Sequence, residues 1–125
     1  MFEYSNSGMF NLHFVHQTNY YTPPVDVLET NTGFVVRIEI AGMNEKDFEI
    51  KFDQNILSVR GIRHDPLRRQ TFQQMEIHFG EFRIDIKINQ PVMSDEISAE
   101  YKNGFLVIVL TNAQPHEIPI TDKDS

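Results

Sequence analysis

The chain has 125 residues, of which 40% are hydrophobic, enough for one domain with a real core. Its formal net charge of −7 opposes binding to nucleic acid or to an anionic membrane surface, and we expect neither partner. It contains no cysteine, which excludes disulfides and thiolate chemistry, and no apolar run long enough to cross a bilayer. The first twenty residues lack Lys and Arg and do not resemble a secretory signal, so a cytoplasmic protein is the default expectation.

Residues 1–21 are predicted to form a flexible N-terminal arm that is rich in aromatic residues and almost uncharged. Glu3 is its one charged residue, and its six aromatic residues are Phe2, Tyr4, Phe10, Phe14, Tyr20 and Tyr21. Pro23 and Pro24 close the segment, because proline cannot extend a helix and biases the preceding residue towards extended geometry. The arm is either a leader that packs on its own domain or a mobile apolar surface for other proteins. Its composition favours the second interpretation.

Residues from about 25 to 110 alternate between apolar and polar side chains with a period of two. Phe34, Val36, Ile38 and Ile40 share one face, and the pattern recurs over residues 48–53, 57–60 and 82–89. Turn-forming residues separate these runs. Such a pattern predicts half-buried antiparallel strands and an all-β, immunoglobulin-like sandwich.

The segment Phe105–Leu110 is apolar on both faces, so the pattern predicts a strand that must be covered on both sides. Asn103 and Gly104 precede it, and both tolerate positive φ, which predicts a tight hairpin turn. After residue 113 the chain becomes polar, except that Ile118 and Ile120 flank Pro119. Two β-branched side chains in a polar tail indicate that some surface receives them.

Catalytic and metal-binding patterns are missing from the sequence. There is no G-x-S-x-G, no phosphate-binding glycine loop and no H-E-x-x-H. We therefore expect that the protein is not an enzyme and binds no cofactor. Of the histidines, only His13 and His16 are spaced to share a metal, and no nearby ligand completes a site, so we expect no metal. The basic residues of 60–69 are interpreted as a solvated loop rather than a nucleic-acid interface.

The run Ala99–Leu106, AEYKNGFL, followed after a short polar linker by Ile118-Pro119-Ile120, resembles the small heat-shock proteins. The resemblance covers roughly residues 22–110 and the tail motif. It implies an α-crystallin domain over 22–112, between the arm of residues 1–21 and a C-terminal tail of residues 113–125.

The resemblance also implies how subunits assemble. In that family a groove between two strands receives the tail motif of another subunit. The residues that match the groove here are Ile50, Phe52, Ile97 and Ala99. A sheet edge with exposed apolar residues needs a cover, which is consistent with such a groove.

A dimer is expected through a strand that two subunits exchange. The segment 61–80 is as long as in the bacterial and plant branch of the family, and the matching strand runs over 72–77, with Phe72, Met75 and Ile77 as its apolar residues. One position departs from the family, because Ile84 stands where an arginine is usual. A dimer contact through that arginine is therefore missing.

The function implied is that of an ATP-independent holdase chaperone, which binds partly unfolded proteins and assembles as oligomers of dimers. The residues of the arm expected to contact such clients are Phe2, Tyr4, Met9, Phe10, Leu12 and Phe14. The alternative is a monomeric co-chaperone of the CS-domain type or another protein-interaction sandwich, which would need neither the arm nor the tail motif. An enzyme or metal-binding sandwich is disfavoured by the missing motifs.

Overall fold

The computed structural model describes residues 19–113, and nearly all of their regular structure is β. Two short 3-10 turns, Glu45–Asp47 and Ser94–Glu96, interrupt the strands. The strands in chain order are β1 Val25–Thr30, β2 Gly33–Glu39, β3 Glu49–Asp53, β4 Ile56–Arg63, β5 Gly80–Lys87, β6 Ser98–Lys102 and β7 Phe105–Thr111. The predicted all-β fold is confirmed. No helix in residues 19–113 is long and apolar enough to span a bilayer.

The strands form two antiparallel sheets. One sheet has four strands in the order β1-β2-β7-β6, and the other has three in the order β3-β4-β5. The strands β1 and β6 are therefore the edges of the larger sheet, and β3 and β5 are the edges of the smaller one. Within residues 19–113, each of these four strands hydrogen-bonds to another named strand on one side only.

The core lies between the sheets and is built from the inward positions of the alternating strands. Eleven apolar side chains are buried there: Val36, Ile38, Ile40, Leu57, Val59, Phe82, Ile84, Ile88, Leu106, Ile108 and Leu110. None of the described residues places a buried polar or charged side chain among them. A core with so little polar content stabilises the fold chiefly by the burial of apolar surface.

The hairpin between β6 and β7 has the predicted geometry. Asn103 and Gly104 take φ values of 54° and 82°, and the register pairs Lys102 with Phe105 across the turn. The positive φ at both positions is why Asn-Gly occurs here, since bulkier residues are strained in that region.

The strand β7 differs from expectation on one face. Leu106, Ile108 and Leu110 are buried in the core as predicted, but Phe105 and Val109 remain 39% and 41% exposed. The sequence predicts that both faces of β7 are covered. Residues 19–113 of one chain cover only the face that carries Leu106, Ile108 and Leu110.

Candidate functional site

The edge of the sandwich between β3 and β6 is closed at one end by two aromatic rings. The ring of Phe48, next to β3, lies 5.0 Å from the ring of Tyr101 on β6. The Tyr101 hydroxyl donates a hydrogen bond of 2.7 Å to the Ile40 carbonyl and accepts one of 3.3 Å from the Met43 amide. These contacts place the free edges of β3 and β6 on the same side of the molecule.

The four residues predicted to form the groove line this edge. Ile50 and Phe52 pair with Val59 and Leu57, both fully buried, so their side chains point into the sandwich. Ala99 pairs with the buried Ile108 and therefore points the same way from β6.

Ile97, just before β6, packs against the core together with Ile50 and Phe52, whereas Ala99 is exposed. The edge is thus a half-buried apolar strip flanked by two strands whose outer backbone groups pair with no strand among residues 19–113. The tail motif of Ile118, Pro119 and Ile120 lies outside the described residues, as do the arm residues Phe2, Tyr4, Met9, Phe10, Leu12 and Phe14.

The predicted exchanged strand forms no strand within its own chain. Residues 72–77 lie in the long connection between β4 and β5 and pair with no strand among the described residues. Their apolar side chains are exposed, with Phe72 at 38%, Met75 at 63% and Ile77 at 67%. Three exposed apolar side chains within residues 72–77 are unusual on a solvated loop.

Arg63, at the end of β4, joins this loop to the base of the arm. Its guanidinium carbon lies 5.8 Å from the centre of the Tyr21 ring and 4.8 Å from that of Phe79. The same group donates hydrogen bonds to the carbonyls of His78 and Ala41. Burial raises the pKa of the Tyr21 hydroxyl, and the positive charge of Arg63 partly offsets that effect.

The cluster that Arg63 forms with Tyr21 and Phe79 was not predicted from the sequence. Its members are distant in the chain, and the basic run around Arg63 indicated only a solvated loop. One feature of the sequence could have indicated this contact. An arginine at the end of a strand can stack on aromatic rings, and aromatic residues occur both in the arm and in the loop between β4 and β5.

Tyr21 also occupies part of the β5 edge. Its amide donates to the Glu81 carbonyl and its carbonyl accepts from the Arg83 amide, both at 3.0 Å, as a short parallel bridge. Ile84, at the position where the family has arginine, is 3% exposed and belongs to the core. The outward neighbour Arg83 instead forms an ion pair of 2.9 Å with Asp85.

The described residues contain no group of three or more His, Asp or Glu side chains positioned to hold a metal ion. The clefts on the described surface are open and lined by mixed side chains. One of about 590 Å³ lies beneath the β4–β5 loop, between Gly42, Arg63, Pro66 and Phe79. The apolar strip at the β3–β6 edge and the exposed loop are therefore the features that point to binding.

Comparison with known proteins agrees with this geometry. The model of the Hsp20/alpha crystallin family matches residues 26–123, so the chain belongs to that family. The small heat shock protein C2 of Rickettsia felis is 29% identical over 111 residues, which cover 87% of this chain and 66% of that protein. The spore protein SP21 of Stigmatella aurantiaca is 29% identical over 80% of this chain and 62% of its own length. The chain thus spans somewhat less than two thirds of these relatives.

Solved structures show the same fold. The hspA protein of Xanthomonas axonopodis matches with a TM-score of 0.70 and 27% identity, over 74% of this chain and 95% of its own. A small heat-shock protein from Xylella fastidiosa, described as having a distinct high order structure, matches with a TM-score of 0.68 and 27% identity over 82% and 98%. Both predictions made from the resemblance, the family and the sandwich fold, are confirmed.

Proposed function

We propose that the protein is an ATP-independent holdase chaperone that binds partly unfolded proteins and prevents their aggregation. The observation that carries the proposal is an arm with six aromatic residues and one charge, attached to a domain of this family. Such a segment binds unfolded chains by apolar contact, which needs neither a reaction nor a nucleotide. We place the protein in the cytoplasm, with no cofactor.

The tail motif is proposed to dock in the β3–β6 groove of another subunit. Ile118 and Ile120 would pack against Ile50, Phe52 and Ile97, with Ala99 leaving room between them. Burial of two isoleucine side chains contributes about 1.5–3 kcal/mol each before the tail is ordered. A single contact of that size is weak, but contacts repeated around an oligomer reinforce one another through effective concentration.

The dimer is proposed to form when residues 72–77 of one subunit pair with β1 of the other. Of the four sheet edges, β3 and β6 flank the groove, and Tyr21 covers part of β5. The remaining edge, β1, carries Val27 and Leu28 at 48% and 44% exposure. A segment with three exposed apolar residues and a sheet edge of the same character would fit each other by strand addition.

The client-binding surface is proposed to be the arm, through Phe2, Tyr4, Met9, Phe10, Leu12 and Phe14. Its aromatic and methionine side chains adapt to many apolar partners, and the single charge does not oppose them. The partners are thus unfolded clients and other copies of this chain.

The test is the light scattering of a heat-denatured client protein, followed without ATP at increasing molar ratios of this protein. We expect complete suppression near equimolar subunits and clear loss of protection when residues 1–18 are deleted, a truncation that retains Tyr21. Size-exclusion chromatography of the intact chain should show species larger than a dimer. Unchanged aggregation in the presence of the intact chain would refute the holdase function, and a monomer would favour the co-chaperone alternative.

A further inference from the structure

The two sheets present different outer faces to solvent. On the three-stranded sheet the outward positions are mostly charged or polar, with Lys51, Ser58 and Asp85 forming one row across all three strands. On the four-stranded sheet the corresponding row reads Leu28, Val35, Val109 and Ser98. One outer face is therefore typical of a solvated surface, and the other is apolar at its centre.

The apolar centre follows the strand β7. Phe105, Val107 and Val109 are its outward residues, and Leu28 and Val35 extend the patch across β2 to β1. Phe105, Val109 and Leu28 are 39%, 41% and 44% exposed, although β7 is an inner strand of its sheet. We name these five residues the outer patch. A contiguous patch of this kind marks a contact surface.

We propose that the outer patch is the resting site of the N-terminal arm, residues 1–18, from this or a neighbouring subunit. The proposal rests on the proposed function, since an arm that binds clients needs a place where its aromatic side chains are covered when no client is present. The arm and the client would then compete, and the patch would hold the arm in an inactive position.

A narrow segment fits the outer patch better than a second sheet. The cross-strand row beside the one that holds Val109 consists of Asp26, Arg37, Val107 and Glu100. In this row Asp26 and Arg37 form an ion pair of 2.5 Å. Sheet-on-sheet packing of two copies would remove these charges from water at a high desolvation cost. A single chain lying along β7 covers Phe105, Val107 and Val109 and leaves the ion pair on β1 and β2 hydrated.

The arm is the segment of this chain whose chemistry and position match. It carries one charge in 18 residues, whereas the tail after Ala113 includes Glu117, Asp122, Lys123 and Asp124. The arm joins the domain at Tyr21, which bridges to Phe82 on β5 of the smaller sheet, and the chain then enters β1, an edge of the sheet that bears the patch, at Val25. An extended segment of 18 residues spans roughly 60 Å. The distance from β1 across to β7 is only about 10 Å.

The absence of cysteine allows a direct test in the full chain. One variant combines Phe10→Cys with Val109→Cys. Its matched control combines Phe10→Cys with Ile56→Cys, because Ile56 is β-branched, points outward from the other sheet and is 40% exposed against 41% for Val109. Disulfide formation under mild oxidation is followed on non-reducing gels, with circular dichroism to verify folding.

We expect the Val109 variant to form its disulfide on the order of tenfold faster than the Ile56 variant, because docking raises the effective concentration of Cys at the patch. Equal rates on the two faces would overturn the proposal. Rapid cross-linking of Val109→Cys alone, without the arm cysteine, would also overturn it and assign the patch to a second copy.

A second measurement guards against unfavourable disulfide geometry. The chain has no tryptophan, so Phe10→Trp supplies a single reporter of the environment of the arm. Its emission should shift to the red when Val109→Lys is added and remain unchanged with Ile56→Lys. Both measurements omit the client, so they test the arm position independently of the holdase function. The proposal fails if the emission is the same in both lysine variants.

Discussion

The hydroxyl of Tyr101 bridges to the backbone on both sides of the turn after β2, accepting from the amide of Met43 and donating to the carbonyl of Ile40. One side chain from the larger sheet thereby fixes the start of the crossover into the smaller sheet. The same ring contacts Phe48, so the crossover and the closed end of the groove depend on one residue.

Tyr101→Phe keeps the ring and removes both hydrogen bonds. We expect a loss of about 1 kcal/mol in the free energy of unfolding, because the Met43 amide and the Ile40 carbonyl lose a partner while packing is retained. Urea denaturation followed by circular dichroism measures this change. Tyr20→Phe, at a tyrosine that is 43% exposed, is the control and should leave the midpoint unchanged. Equal effects of the two substitutions would contradict the bridging role.

Gly61→Ala tests the packing of β4 against the core. A Cβ atom at this position would lie 2.6 Å from Cζ and 2.8 Å from Cε2 of Phe82, which is fully buried in the core. We expect destabilisation of about 1–3 kcal/mol from overpacking. Phe82→Leu removes the clashing atoms, so in the double variant alanine should cost much less than in the wild type. Urea denaturation measures the three variants. If the losses of stability in the two single variants simply add up in the double variant, the clash is contradicted.

Ile118→Gly with Ile120→Gly should leave a folded dimer and abolish larger species. The groove would lose the side chains proposed to fill it, whereas the buried core residues of the sandwich are unchanged. Native mass spectrometry and size-exclusion chromatography read out the assembly. Thr121→Gly with Asp122→Gly makes the tail equally flexible without touching the motif and should retain the full oligomer. An unchanged assembly mass for the isoleucine variant would show that the tail does not hold subunits together.

Proline at Gln74 or at Met75 tests the exchanged strand in the background that lacks the tail isoleucines. Each proline removes one backbone donor and fixes φ, which a paired strand tolerates poorly. The loop packs little in its own chain, so we expect at least one folded monomer with native circular dichroism. Alanine at the same positions keeps the backbone donor and should keep the dimer. If both proline variants remain dimers at micromolar concentration, pairing through the β5 edge becomes the better model.

Acid stability depends in part on Asp85. The hydroxyl of Ser58 donates a hydrogen bond of 2.7 Å to Asp85, and Arg83 lies beside it, so the pKa of Asp85 is below its ordinary value. A carboxylate with a lowered folded pKa stabilises the fold above its unfolded pKa of about 4, and this contribution disappears as the pH falls further. Ser58→Ala should therefore be less stable than wild type at neutral pH and approach it below about pH 4. Ser98→Ala, on β6, is the control. A stability difference between Ser58→Ala and wild type that is the same at every pH would contradict this linkage.

The sequence predicted the elements whose signal is local. The alternation from Phe34 to Ile40 requires only neighbouring residues, and it gave β2 with the correct inward face. The hairpin at Asn103 and Gly104 is equally local, because the positive φ values restrict which residues fit. The same alternation, together with the family resemblance, placed Ile50, Phe52, Ile97 and Ala99 at one edge, and their role as a groove for the tail stays a prediction.

The contacts between distant segments were not predictable from such patterns. The sequence places Arg63 at a strand end where it can stack on aromatic rings, but it does not specify Tyr21 and Phe79, because the chain path between β4 and β5 decides that contact. The open outer face of Val109 was missed for a related reason. The sequence shows that both sides of β7 are apolar, but only the sheet order shows which side no described strand covers.

The position of β7 also determines when the domain can fold. This strand lies between β2 and β6 in the sheet, so Val36 must wait for Ile108 before the core closes. Pairing over such a sequence separation carries a loop-closure cost that slows folding, and sandwiches of this kind fold in milliseconds to seconds. On the ribosome, the first strands therefore emerge with their apolar faces uncovered until residue 111 has left the exit tunnel. During its own synthesis, this chain passes through the aggregation-prone state from which we propose it protects other proteins.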